Sequence, residues 1–183
     1  MERGILLYGP PASGKDTITS VLAGLDRRYV PFTRLKIGTG RTHGYRMASR
    51  RELEQLEARG EVVYRNDRYG NTYVVDRTGL REATSAGQVP VVHLGQVTGV
   101  RAVADGFTAR WCRVLLWCRR ETTEQRSIGR GDVDTSARLE AWDATERDVA
   151  DNPGMEWDLL VHTDDLSPQE AAARIHAMVS RAG

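Results

Sequence analysis

The chain has 183 residues, 40% hydrophobic and 28% charged, enough for one compact domain that needs no disulfide or metal staple. Its 26 basic and 25 acidic residues leave a net charge of +1, which argues against a general nucleic-acid coat or a polybasic membrane anchor. No apolar run approaches the ~18 residues of a membrane span and the N-terminus shows no signal-peptide pattern, so a soluble cytoplasmic protein is expected, a monomer or homodimer without nucleic-acid or membrane partners.

Residues 4–8 form a short apolar run ended by Gly9, Pro10 and Pro11, the pattern of a buried strand. Ile18, Val21, Leu22 and Leu25 then fall at i, i+3, i+4 and i+7, which predicts an amphipathic helix. From 33 to 76 the apolar runs shorten while glycines and aromatics increase, predicting a small insertion that stands off the main sheet. Within it, Ser49 and Glu52 have the spacing of a capping box for a short helix ending at Gly60, and 61–64 and 72–75 read as strands. A helix is predicted over 77–86, buried strands at 89–94, 113–117 and 158–162, and a further helix over 134–149. The stretch 119–134 is polar and arginine-rich, too hydrophilic to be core. Ser167 as N-cap, Pro168 at the first helical position and Glu170 three residues on open the last helix. Strands alternating with helices predict an α/β fold with a mostly parallel sheet flanked by helices on both faces.

Cys112 and Cys118, six residues apart in one apolar segment, are too distant on a strand to bond to each other and read as core thiols. His43, His93, His162 and His176 show no ligand spacing, so no structural metal is expected.

The segment Gly9-Pro10-Pro11-Ala12-Ser13-Gly14-Lys15-Asp16-Thr17 lies between a predicted strand and a predicted helix, the context of a phosphate-binding loop. Glycines let backbone amides curl around phosphate oxygens, the helix N-terminus adds positive potential, and the lysine neutralises the terminal phosphates. Lys15 and Lys36 are the two lysines among the 26 basic residues. The pattern Gly-x-x-x-x-Gly-Lys should therefore arise by chance only about 0.02 times in such a chain. The hydroxyl residue that usually follows the lysine is Asp16 here, with Thr17 next. A carboxylate is a good hard-oxygen ligand, so Asp16 either ligates Mg²⁺ or occupies the first helical turn for the sake of the dipole.

Beyond this loop the chain resembles the guanylate kinase family of P-loop nucleoside monophosphate kinases over nearly its whole length. Thr33-Arg34 resembles the family's Thr-Arg, and Tyr45 with Met47-Ala48-Ser49 its Tyr-x-Phe-x-Ser segment. Tyr69-Gly70-Asn71-Thr72-Tyr73 is similar to the Phe-Gly-Asn-Tyr-Tyr signature. Arg126, Arg130-Gly131 and Arg138-Leu139 resemble the spaced arginines of the lid, and Trp157-Asp158 and Thr163-Asp164-Asp165 the segments near the adenine site. The resemblance implies a P-loop kinase fold divided into core (1–32, 77–118, 135–183), acceptor-binding insertion (33–76) and lid (119–134). It implies ATP and Mg²⁺ as cofactors and a small phosphorylated acceptor as partner. Gly9, Pro10, Ala12, Ser13, Gly14, Lys15, Asp16, Thr17 and Thr163 would hold ATP. Lys15, Arg126, Arg130 and Arg138 would act on the transferring phosphoryl group. Arg34, Arg41, Tyr45, Tyr64, Tyr73 and Val75 would line the acceptor site, a guanidinium and phenols gripping its phosphate. Lys36 replaces an arginine of the family pattern, keeping charge without the bidentate fork.

The departures gather where guanine would be read. Tyr64 stands at the place of the family's base-reading glutamate, Val74-Val75 replaces Gly-Thr/Ser, and His93-Leu94-Gly95 replaces Asp-Ile-Asp. A site without those hydrogen-bonding groups loses most discrimination for guanine. The sequence therefore predicts γ-phosphoryl transfer from ATP to the phosphate of a nucleoside monophosphate or related metabolite. Two alternatives stand beside it. One is a ribose 1,5-bisphosphate phosphokinase, which Gly-Lys-Asp also resembles; the other is a catalytically silent ligand-binding module.

Overall fold

The N-terminal apolar run becomes β1 (Arg3–Tyr8), in which Ile5, Leu6, Leu7 and Tyr8 are fully buried. In the computed structural model, which describes residues 2–40, 42–68, 70–131 and 134–181, the phosphate loop leads from β1 into α1 (Lys15–Leu25). The chain continues through β2 (Tyr29–Pro31), β3 (Leu35–Ile37), β4 (Arg46–Met47), α2 (Arg50–Ala58), β5 (Val62–Arg68), β6 (Asn71–Asp76) and α3 (Arg77–Thr84). It ends with β7 (Val89–His93), α4 (Val97–Gly106), β8 (Arg110–Trp117), α5 (Arg120–Gly129), α6 (Thr135–Ala150), β9 (Leu159–His162) and α7 (Pro168–Arg181).

Five of these strands form a parallel sheet in the order β2-β7-β1-β8-β9. Side chains alternate across it, as the two-residue period of a strand requires. Ile5 and Leu7 of β1 pack with Val91, Val114 and Leu116 against Ile18 and Leu22 of α1 and Ala172 and Ile175 of α7. Leu6 and Tyr8 face the other way, with Val92 and Leu115, toward Leu80 of α3 and Val97, Val100 and Val103 of α4. Burial on both faces explains why these strands read as unbroken apolar runs.

The insertion is a second sheet, ordered β4-β3-β6-β5, with a small core of Ile37, Leu53 and Val74. Ser49 and Glu52 form the expected capping box at the start of α2. At the base of the insertion the Arg46 guanidinium pairs with Asp76 at the end of β6 and donates to the Thr33 carbonyl oxygen at 2.8 Å. Asp76 is buried and also caps α3, accepting from the Gly79 amide at 2.8 Å.

Several sequence expectations change. The helix over 77–86 ends at Thr84 and tightens into a 3₁₀ turn, Ser85–Gly87. The polar stretch 119–134 opens with α5, and Thr123 and Ser127 of that helix are fully buried. The Thr123 hydroxyl donates to the Pro11 carbonyl oxygen, whereas Ser127 Oγ is buried without a hydrogen-bond partner among the described residues, and hydropathy alone reveals neither. Helix α4 has no counterpart among the predicted elements. Its apolar residues are valines spaced by three, interrupted by Gly99, so both composition and propensity obscure it. Cys112 and Cys118 are both buried and free.

Candidate active site

The loop between β1 and α1 is shaped by its backbone. Gly9 has φ +149°, and a Cβ there would meet the Leu116 carbonyl oxygen at 2.0 Å, so only glycine lets β1 run this close to β8. Gly14, with φ +91°, caps α1, and Ala12 adopts φ 59°, a left-handed conformation uncommon for a residue with a Cβ. Lys15 Nζ donates to the carbonyl oxygens of Gly9 at 2.7 Å and Pro10 at 2.8 Å, and to Ser13 Oγ at 3.2 Å. Burial of the ammonium pushes its pKa down to about 8, with the Asp16 carboxylate opposing the shift.

Helix α5 braces the loop from outside. Thr123 Oγ1 donates to the Pro11 carbonyl oxygen at 2.9 Å, and Arg126 donates to Ala12 O at 2.9 Å and Thr163 O at 2.6 Å. Arg126, Arg130, Thr163, Ala12, Gly14 and Thr17 line one cavity of about 440 Å³ beside the start of α1. Arg138 lies outside that cavity and pairs with Asp134 one turn earlier at 3.5 Å. The acids near Thr163 have structural partners. Asp164 accepts from the Arg119 amide and the Thr122 hydroxyl at the entrance to α5, and Asp158 accepts from the Arg113 amide and guanidinium. Trp157 stacks on Tyr8 with ring centroids 5.5 Å apart.

On the other side of Lys15 opens a cleft of about 710 Å³ between the main sheet and the insertion. Lys15, Asp16, His93 and Gly95 line it from the core and Arg34, Tyr45 and Tyr73 from the insertion. Tyr45 and Tyr73 meet at 5.4 Å between centroids. The Arg34 guanidinium lies 5.9 and 5.4 Å from those two rings, and the buried Lys36 ammonium 5.5 and 5.9 Å from them. Two cations thus share two phenol rings in one positive cage, each cation–ring contact adding about 0.5–2 kcal/mol. Lys36 Nζ also donates to the Thr39 carbonyl oxygen at 2.6 Å, and Asn71 Oδ1 accepts from the Thr39 amide at 2.9 Å. Asn71 of the signature thus holds the turn that follows β3.

Two expected acceptor residues lie elsewhere. A β-bulge shifts the register between Val62 and Tyr64. It leaves Val63 and Tyr64 both packed toward α4, where simple alternation would part them. The Tyr64 ring covers Gly99, at which a Cβ would meet it at 2.7 Å, and its hydroxyl donates to Gln96 Oε1 at 2.6 Å. Val75, paired with Tyr64, is fully buried in the core. The two residues pack the insertion onto α4 and do not line the cleft. Asn66 and Arg68, further along β5, line it instead, together with His43. Arg41 and Tyr69 lie outside the described residues.

Sequence reasoning missed Asp148. Its carboxylate accepts from the Tyr8 hydroxyl at 2.6 Å and from the Val97 amide at 2.8 Å, capping α4 from across the fold. Gln96 gives α4 no side-chain cap of its own, so the Val97 amide is served from across the fold.

As to metal, Asp16 projects fully exposed from the first turn of α1 toward the cleft, a hard oxygen donor well placed for a divalent cation. Such a cation would neutralise phosphate charge in the cleft.

No family model matches the chain. It is 29% identical over 188 residues to the guanylate kinase of Symbiobacterium thermophilum, an alignment covering 97% of this chain and 85% of that one. The crystal structure of guanylate kinase from Anaplasma phagocytophilum superposes with a TM-score of 0.66 at 16% identity, over 99% of this chain and 86% of that chain. The chain is guanylate kinase-like in sequence along nearly its whole length, and its fold is the guanylate kinase P-loop fold.

Proposed function

We propose that the chain is an ATP-dependent, nucleoside monophosphate kinase-like enzyme that moves the γ-phosphoryl group of ATP onto the phosphate of a small acceptor. One observation carries this reading: Lys15 of the phosphate loop and Arg34, Tyr45 and Tyr73 of the insertion line the same cleft. Two anion sites in one cleft serve a reaction in which one phosphate attacks another. The bond from the γ-phosphorus to the β-bridging oxygen breaks, and a new one forms to an acceptor phosphate oxygen. That oxygen is already ionised, so no base need remove a proton. The work left to the protein is alignment and charge stabilisation. Lys15, Arg126 and Arg130 supply positive charge on the ATP side, and Arg34 with the two phenols holds the acceptor. Asp16 would hold a magnesium ion, which when bound would supply charge neutralisation between the phosphates.

The acceptor proposed is not GMP. Among the described residues lining the cleft, Asp16 beside the phosphate loop is the one carboxylate, while the far end presents Asn66, Arg68 and His43. Guanine offers ring and amino N–H donors that call for carboxylates, and a wall of amide, guanidinium and imidazole suits carbonyl-rich or anionic groups better. A nucleotide with a carbonyl-rich base or a sugar bisphosphate fits that wall.

The test is ADP release from ATP and Mg²⁺ across the common nucleoside monophosphates and ribose 1,5-bisphosphate. Turnover with one of these other than GMP is expected. Turnover on GMP alone contradicts the acceptor assignment, and ADP binding with no turnover on any acceptor identifies a binding module instead.

A further inference from the structure

At the end of β7 the His93 ring is held against α1 by both of its nitrogens. Nε2 lies 2.8 Å from Thr19 Oγ1, and Nδ1 lies 3.5 Å from Asp16 Oδ1. The Thr19 hydroxyl is also 2.8 Å from the Lys15 carbonyl oxygen, a group that can only accept. Thr19 therefore donates its single proton to that carbonyl, and its oxygen accepts from Nε2–H of His93. This fixes the tautomer, leaving Nδ1 as the nitrogen that faces the carboxylate. With Nε2–H given to Thr19, the lone pair of the neutral ring lies on Nδ1 and faces the carboxylate oxygen, an arrangement that a cation relieves. The spacing suits one: two donors each about 2.1–2.2 Å from a shared ion stand about 3.0–3.5 Å apart at tetrahedral or octahedral angles.

We propose that His93 Nδ1 and Asp16 Oδ1 are joint ligands of a divalent cation bound with the nucleotide phosphates, and that the imidazole turns the site toward first-row transition ions such as Mn²⁺ over Mg²⁺. Magnesium favours oxygen donors, whereas imidazole is a ligand of the transition ions. No group of three or more ligating side chains occurs among the described residues, so the remaining positions fall to phosphate oxygens and water. Lys15 and Arg34 oppose a cation here, and the phosphates offset them. The inference rests on the nucleotide-binding reading given above.

The test is electron spin-echo spectroscopy of Mn²⁺ bound to the full chain with ADP, using unlabelled and ¹⁵N-labelled protein so that imidazole and adenine nitrogens are told apart. ADP binding without metal is measured first. A nitrogen modulation that follows the protein label, and disappears in His93→Gln, is the expected result. The Mn²⁺ dissociation constant of the ADP complex should rise about tenfold in His93→Gln and that of Mg²⁺ less than about twofold. Asp16→Asn, at an exposed position that does not threaten folding, should weaken both ions. If ADP binds but no protein nitrogen couples to Mn²⁺, or if both ions weaken equally in His93→Gln, the inference fails while the nucleotide reading stands. If ADP does not bind, both fail.

Discussion

The phosphate loop is held by its own backbone and by α5, whereas the proposed acceptor wall is assembled from side chains of several separate segments. On the ATP side, Gly9, Ala12 and Gly14 take up positive φ, Lys15 folds onto three loop oxygens, and Thr123 and Arg126 lock the outside. On the acceptor side, Arg34, Lys36, Tyr45 and Tyr73 meet through ring faces, and the unit hangs on Arg46–Asp76 and on Tyr64 against Gly99. A site made by local backbone geometry tolerates little change in shape. A site made by packing of an insertion against a helix can alter its specificity by altering the packing residues.

Four changes sharpen that contrast. Lys15→Ala, which removes the buried charge at the centre of the rigid half, should lower turnover on the order of 10³-fold without unfolding the protein; full activity would reject the loop as the phosphate site. Asp76→Ala should act through stability. It removes both an ion-pair partner and a helix cap, for about 3 kcal/mol, near the low end for a broken buried pair because Arg46 remains a third exposed. Denaturant unfolding measures this, and an unchanged midpoint would mean that the insertion does not depend on this tie. Arg34→Ala should raise the acceptor KM about thirtyfold, the loss of one charge-assisted contact, while leaving the ATP KM within about twofold. Equal effects on both constants would erase the division between the halves.

The smallest effect is a pH dependence. Lys15 has its folded pKa lowered to about 8, so the nucleotide-free protein loses this charge as pH rises through that value. A bound phosphate holds the proton on, so ADP affinity should fall about eightfold between about pH 7.5 and about pH 9. The same linkage means that burying charged Lys15 costs stability below its folded pKa, a cost that fades as pH rises toward the unfolded value. A flat affinity profile would show that Lys15 does not meet the nucleotide.

This contrast also explains what the sequence disclosed. The phosphate loop was legible because its chemistry depends on residue types at fixed spacing within nine consecutive positions, from Gly9 to Thr17. The sheet was legible because strands buried on both faces must be apolar throughout. The direction of the Tyr64 side chain was not legible because a single bulge in β5 turns it toward α4, and no periodicity records where a bulge falls. Asn66 and Arg68 were overlooked for the same reason. The buried face of α5 was not legible because its buried side chains are hydroxyls, and Asp148 was invisible because it serves a helix 51 positions away.

Phosphorus NMR of the reaction products tests the central claim most directly, that one cleft aligns two phosphates for transfer. With ATP, Mg²⁺ and the preferred acceptor, a new phosphoanhydride resonance should appear on the acceptor as ADP accumulates, and neither should appear in Lys15→Ala. Release of inorganic phosphate with the acceptor unchanged would contradict it and make the chain a nucleotide hydrolase.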